Sequence, residues 1–165
     1  MKYRSVDETD QFDFRDCRIL DFQKRDRQLY FVLEALIVRG GNSQNTHFTD
    51  SYAGETQLQL TNAEILSGIK EGYRYYNADG VLEKEVADAP MQIEELANIL
   101  QMSPGAYLFR FEKIGTEADD RQVHALSLEF EDPEDYGAVS DSYMITFSFE
   151  NAIFEWEEYK NKVQT

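Results

Sequence analysis

The chain has 165 residues, of which 32 are Asp or Glu and 16 are Lys or Arg, giving a formal charge of −16 at pH 7. A field of that sign repels nucleic-acid phosphates and anionic lipid headgroups, so no nucleic acid and no membrane surface is expected as a partner. The length suits one domain that buries most of its unfolded surface without staples, and a single cysteine, Cys17, leaves no disulfide framework.

With neither a basic-then-apolar leader nor a long uninterrupted apolar run, the expectation is a cytoplasmic chain that spans no membrane. One domain over 1–165 is expected, with 1–11 and 160–165 as loosely held ends. Tyr3 and Val6 are the residues that would pin the first of these as an edge strand.

Residues 12–39 read as two long strands, FDFRDCRILDF and QLYFVLEALIV, joined by the charged run Lys24, Arg25, Asp26 and Arg27. In the second strand Leu29, Phe31, Leu33 and Ile37 share one face and Tyr30, Val32, Leu36 and Val38 the other, which predicts a central strand covered on both sides. The first strand loses its alternation between Phe14 and Cys17. The same slip returns between Leu60 and Ala63 and between Phe149 and Ala152, each time at a polar-small pair: Asp16-Cys17, Asn62-Ala63 and Asn151-Ala152. Bulges of this kind bend long strands from one sheet of a sandwich into the other, and Asp and Asn tolerate the unusual backbone angles. Cys17 sits on an apolar strand position and is expected to be a buried, inert thiol.

Residues 40–55, GGNSQNTHFTDSYAGE, have no period and form the longest predicted loop, a natural place for a binding site. Its candidate ligand-binding side chains are Asn42, Asn45, His47, Asp50 and Tyr52. A second hairpin is predicted over 72–86, turning at Asn77-Ala78-Asp79-Gly80. Tyr73, Tyr75 and Tyr76 on it suit either a stacking surface for a sugar or protein partner, or cross-strand pairs that merely stabilise the hairpin. A helix is predicted over 90–102, with Pro90 in its first turn and Ile93, Leu96, Ala97 and Leu100 as its buried stripe. Residues 106–114 and 122–131 read as a further hairpin, with His124 on the apolar face, and 142–159 as the third bent strand.

Chemistry-bearing motifs are sparse. The two histidines, His47 and His124, lack any short spacing to Cys17 that would specify zinc. Carboxylates crowd the loop before the last long strand, and Asp132, Glu134, Asp135 and Asp141 are the candidate ligands for a calcium ion, although no Asp-x-Asp-x-Asp-Gly pattern accompanies them. Neither a phosphate-cradling glycine loop nor a Gly-x-Ser-x-Gly elbow is present, and no cofactor is expected.

The fold class expected is mainly β, an antiparallel β-sandwich or partly open barrel with one short α-helix. The expected function is that of a non-catalytic acidic binding domain for a basic protein partner, as in a small immunity or regulatory protein. The alternatives are a small-molecule or carbohydrate-binding sandwich and a carboxylate-based hydrolase. Oligomeric state is left open by the sequence.

Overall fold

Two long, bent strand pairs carry the fold in the computed structural model, which describes residues 1–131 and 141–164. The first pair runs β2 (Phe12–Asp13) into β3 (Arg18–Arg25), then back through β4 (Gln28–Glu34) into β5 (Ile37–Val38). The second runs β6 (Ser51–Ala53), β7 (Thr56–Leu60) and β8 (Glu64–Lys70) against β14 (Asp141–Phe149), β15 (Ala152–Trp156) and β16 (Tyr159–Lys162). The remaining strands are β1 (Tyr3–Val6), β9 (Tyr73–Tyr76), β10 (Leu82–Val86), β11 (Ala89–Pro90), β12 (Tyr107–Thr116) and β13 (Gln122–Phe130), and the one α-helix is α1 (Ile93–Gln101).

All pairings are antiparallel. The large sheet runs β1-β15-β7-β4-β3-β12-β13-β14-β8-β11, and a small one runs β16-β6-β5-β2. The pair β15·β7 therefore lies near one end of the large sheet while its own continuation, β14·β8, lies near the other. The sheet folds over on itself as a sandwich without closing into a barrel. Among the described residues no helix is long and apolar enough to cross a membrane.

The turning points fall where the alternation slips. Asn62, at φ 47°, and Asn151 face each other at the corner between β7·β15 and β8·β14. Thr61 N donates to Asn151 O at 3.0 Å, Asn151 N to Thr61 Oγ1 at 2.9 Å, and Asn62 Nδ2 to Glu150 Oε1 at 2.9 Å. These bonds replace the ladder that the bend interrupts. At the third slip, Cys17 N donates to Phe14 O at 3.0 Å, a tight turn that sends β2 into the small sheet and β3 into the large one. On the opposite strand Ala35, at φ 57°, breaks β4 from β5 at the matching place. Each slip is thus a sharp corner rather than a single extra residue inside a continuous ladder.

The sandwich interior is one apolar cluster drawn from both layers. Phe12 stacks on Phe154 at 4.1 Å between ring centroids, Phe14 meets Phe111 edge-on at 5.9 Å, and Phe111 lies over Phe149 at 6.1 Å. Cys17 is fully buried there, and burial raises its thiol pKa far above the usual range.

Three sequence expectations change. First, the segment 28–38 is buried on both faces only at its end, Leu36, Ile37 and Val38; within β4, Leu29, Phe31 and Leu33 are buried while Tyr30 and Val32 on its other face are half-buried beside Gln57 and Gln59, because a two-layer fold covers one side of each layer there. Second, the helix begins at Ile93, capped by Gln92, whose N–H bonds Glu95 Oε1 at 3.1 Å. Pro90 instead lies in β11, an edge strand, where its missing N–H leaves no central ladder bond unmade. Third, both ends expected to be loosely held carry strands, the first being the edge strand that Tyr3 and Val6 would pin. β1 pairs residue for residue with β15, placing Ser5 in the interior, and β16 pairs with β6.

Candidate functional site

The loop after Arg39 is built from its own polar side chains. Asn45 Nδ2 donates to the carbonyls of Val38, Arg39 and Thr49 at 3.2, 3.0 and 2.9 Å, and its Oδ1 accepts from His47 N at 2.8 Å. Asn42, also buried, donates to Ser5 Oγ at 3.2 Å and accepts from Gln44 N at 2.9 Å. Asp50 Oδ1 accepts from Gly40 N at 2.9 Å, closing the neck of the loop. At that neck a side-chain carbon on Gly40 would stand 3.3 Å from the Phe48 carbonyl, so the chains approach as glycine permits. Glu8 accepts from Ser43 and Ser5; burial opposes its ionisation, but these bonds outweigh it and hold its pKa below the ordinary value. The Tyr52 hydroxyl donates to Asp16 Oδ2 at 2.7 Å, a bond that raises its own pKa.

These candidate ligand groups are therefore spent on bracing the loop. What the brace presents is Phe48, 89% exposed and held at φ 58°. A bulky residue in the left-handed region carries a steric cost, and here it gains no packing in return. The signal in the sequence was the only phenylalanine in a largely polar stretch, 40–55. Phe48→Gly is expected to leave the fold intact and to raise unfolding free energy by up to about 1 kcal/mol, because relief of the left-handed strain exceeds the extra chain entropy. Urea titration of the two proteins reads this directly. His47 beside it packs its ring on Tyr159, at 4.7 Å between centroids.

The tyrosine hairpin is a separate two-stranded sheet, β9 against β10. Alternation divides the predicted cluster. Tyr73 and Tyr75 share a face with their partners Val86 and Lys84, whereas Tyr76 and its partner Leu82 share the other face. Tyr75 is 47% and Tyr76 51% exposed, and every residue of β10 is exposed. The arm exposes apolar side chains on both faces, beside Lys84 on the first and the Arg74–Glu85 ion pair on the second. Its root is fixed, since Gly72 N donates to Asp88 Oδ1 at 2.7 Å and a side-chain carbon on Gly72 would fall 2.0 Å from Val86 O.

The titratable groups, buried His124 and the exposed Glu112 and Asp141, offer little catalysis. His124 is fully buried between Phe111 and Phe149, with centroids 4.8 and 4.7 Å away, and its Nε2 lies 2.9 Å from Thr9 Oγ1. Its Nδ1 has no partner. Burial, helped by the charge of Lys113 and opposed by Asp7, lowers its pKa to about 4. A hydroxyl beside an imidazole resembles a nucleophile and its base, but a base this weak, with no acceptor to orient it, activates poorly at neutral pH. Glu112, bonded to Arg110, titrates below the ordinary carboxylate range, which is the wrong direction for a general acid. Of the predicted calcium ligands, Asp132, Glu134 and Asp135 lie outside the described residues, and Asp141 stands 3.4 Å from Lys70 Nζ. Among the described residues no three His, Cys, Asp or Glu side chains converge as a metal site.

No family model, no curated protein and no solved structure matches the chain. Its function is therefore argued from its own surfaces. One further surface escaped the sequence reading altogether, a groove of about 500 Å³ between the tip of the β3–β4 hairpin and α1, floored by Phe22, Leu29, Ile65 and Leu100. Nothing local in the sequence announces it, because its walls come from three separated segments, 22–29, 63–65 and 93–101.

Proposed function

We propose that this chain is a non-catalytic binding domain for a basic protein partner, in the manner of an immunity or regulatory protein, and that the β9–β10 arm is its docking element. The observation that carries the reading is the arm itself. A ribbon with Tyr75 and Val86 exposed on one face and Tyr76 and Leu82 on the other is buried fully only when a cleft closes over both. Tyrosine suits that role because it gives a large contact area at small conformational cost.

Charge defines the partner. Over 71–88 the arm carries Glu71, Asp79, Glu83, Glu85 and Asp88 against Arg74 and Lys84, on a chain of net charge −16. A second copy of the chain is repelled by this field and a basic cleft is attracted to it. Phe48 supports the same reading at the other end of the ribbon that begins at β6, as an aromatic held outward on a braced loop.

The test is a parallel pull-down with wild type and with Tyr75→Ser/Tyr76→Ser, at low salt and at about half-molar salt, where screening shortens to a few Å. The expected result is a protein of basic pI retained by wild type at low salt, released by salt and absent with the variant. Retention of the same proteins by both chains removes the arm from the interface, and retention of none at low salt removes the reading.

A further inference from the structure

Asp79-Gly80 is the one place in the chain where an Asp or Asn is followed by glycine. The pair stands at the tip of the β9–β10 arm. A glycine in the second position leaves its peptide nitrogen open to the preceding carboxyl, because no side chain stands in the way. Gly80 lies at φ 77°, and the place a side-chain carbon would take there is open, with no heavy atom within 4 Å.

Other carboxylates at turns of this fold are tied to main-chain N–H groups. Asp50 accepts from Gly40 N at 2.9 Å, Asp88 from Gly72 N at 2.7 Å and Asp7 from Ala152 N at 2.9 Å. Asp79 is exposed, and its carboxylate has neither a hydrogen bond nor an ion pair among the described residues; only its N–H is held, by Asn77 Oδ1 at 2.9 Å. The Gly80 nitrogen is restrained by a single bond, donated to Asn77 O at 3.0 Å. That bond closes a two-stranded sheet that pairs with no other, and the tip of such a hairpin opens readily.

We infer that Asp79 is a site of spontaneous covalent modification, at which the residue isomerises to isoaspartate. The Gly80 nitrogen attacks Asp79 Cγ in the neutral carboxyl form. An N–Cγ bond forms, a Cγ–O bond breaks, and the carboxyl hydroxyl leaves with the amide proton as water, which gives a five-membered imide. Water then adds at the main-chain carbonyl carbon of Asp79 and breaks its bond to the Gly80 nitrogen. The nitrogen keeps Cγ as its partner and recovers a proton, and the released carbon becomes a carboxylate. One water leaves and one returns, so the product is an isomer of the starting chain and no oxidant or reductant takes part. The main chain now runs through Cβ and Cγ, one atom longer between Asn77 O and Gly80 N. The turn cannot close as before, and the pairing of β9 with β10 loosens beside it. The reaction requires no partner, so it stands independently of the docking role assigned to the arm.

Ageing the folded chain for several weeks at neutral pH and body temperature tests the inference. Peptide mapping by chromatography and mass spectrometry, with labelling by an isoaspartyl methyltransferase as a second readout, is expected to show isoaspartate at 79 before any other Asp or Asn. Asp79→Glu keeps the charge at an exposed position where folding is not at risk, and is expected to abolish the signal, because closure then requires a larger ring. Asp79→Asn is expected to follow the same route faster, with loss of ammonia and the mass gain of an amide converted to an acid. Hydrogen exchange over 72–86 is expected to be faster in the isomerised chain than in the fresh one. Absence of isoaspartate at 79, its earlier appearance at another residue, or unchanged exchange over 72–86 overturns the inference.

Discussion

Acidification from about pH 7 to about pH 5 is expected to remove on the order of 2 kcal/mol of stability through His124 alone, and replacing His124 and Thr9 together is expected to abolish that loss. In the unfolded chain the imidazole titrates near its ordinary value, whereas in the fold burial lowers it to about 4. As pH falls through the interval between those values, the unfolded state takes up a proton that the folded state refuses, so stability declines. Below the folded value both states are protonated and this contribution stops changing. The cause is visible in the packing. Protonation would place a charge between the Phe111 and Phe149 rings and add an N–H at Nδ1, which has no acceptor. The neutral form with its proton on Nε2 leaves Nδ1 as a bare lone pair, the less costly arrangement. His124→Leu with Thr9→Val removes both partners of the 2.9 Å bond, so neither is left unsatisfied at neutral pH. Urea denaturation at both pH values gives the result as a difference between the two proteins, which cancels carboxylates such as Glu8 that also weaken in acid. Parallel acid profiles would show that His124 is not sealed as described.

The corners were legible because they are written locally. A buried face that loses its beat at Asp16, Asn62 and Asn151 must either twist or turn, and each of these residues stands at a break between strands. The hairpins over 72–86 and around Asp119 were legible for the same reason, as short-range alternation with turn residues between. Reading β4 as covered on both sides failed because Tyr30 and Val32 are apolar enough to fit a buried face yet stand beside Gln57 and Gln59, a pairing that only the sheet order reveals. Pro90 fits a helix start and an edge strand equally well; the choice is made by Ile69 and Lys70, which pair with it and with Ala89.

At the candidate sites the same division holds. The loop predicted over 40–55 was found by its composition, although Ser51–Ala53 within it pairs as β6, and side chains that look like ligands, Asn42 and Asn45, turned out to be its fasteners, since an irregular backbone must satisfy its carbonyls somehow. The tyrosines were found by type and divided by register. The groove was invisible because the β3–β4 turn, Ala63–Ile65 and α1 share no sequence neighbourhood.

Gly68→Ala should cost about 2 to 4 kcal/mol, a large effect for one methyl group. Gly68 is paired in β8 with Ile145 of β14, and the helix crosses the sheet at this position. The new carbon would sit 2.6 and 2.8 Å from the two Leu96 methyls and 2.8 Å from the Met144 carbonyl. The methyls are side-chain ends that can rotate, but the carbonyl belongs to the backbone of the neighbouring strand and cannot withdraw without breaking its ladder. The ladder beside Met144 must therefore distort and Leu96 rotate or lift the helix, and a nine-residue helix has little stability apart from the burial of Leu96 and Leu100. Leu96→Ala alone removes packing over the same spot and should cost a similar 2 to 4 kcal/mol, by the usual range for such truncations, about that size. In the double variant the alanine methyl at 68 enters the space the leucine vacated, so the combined loss should fall short of the sum by about 1 kcal/mol or more. A sum that is simply additive would mean that the helix does not rest on Gly68.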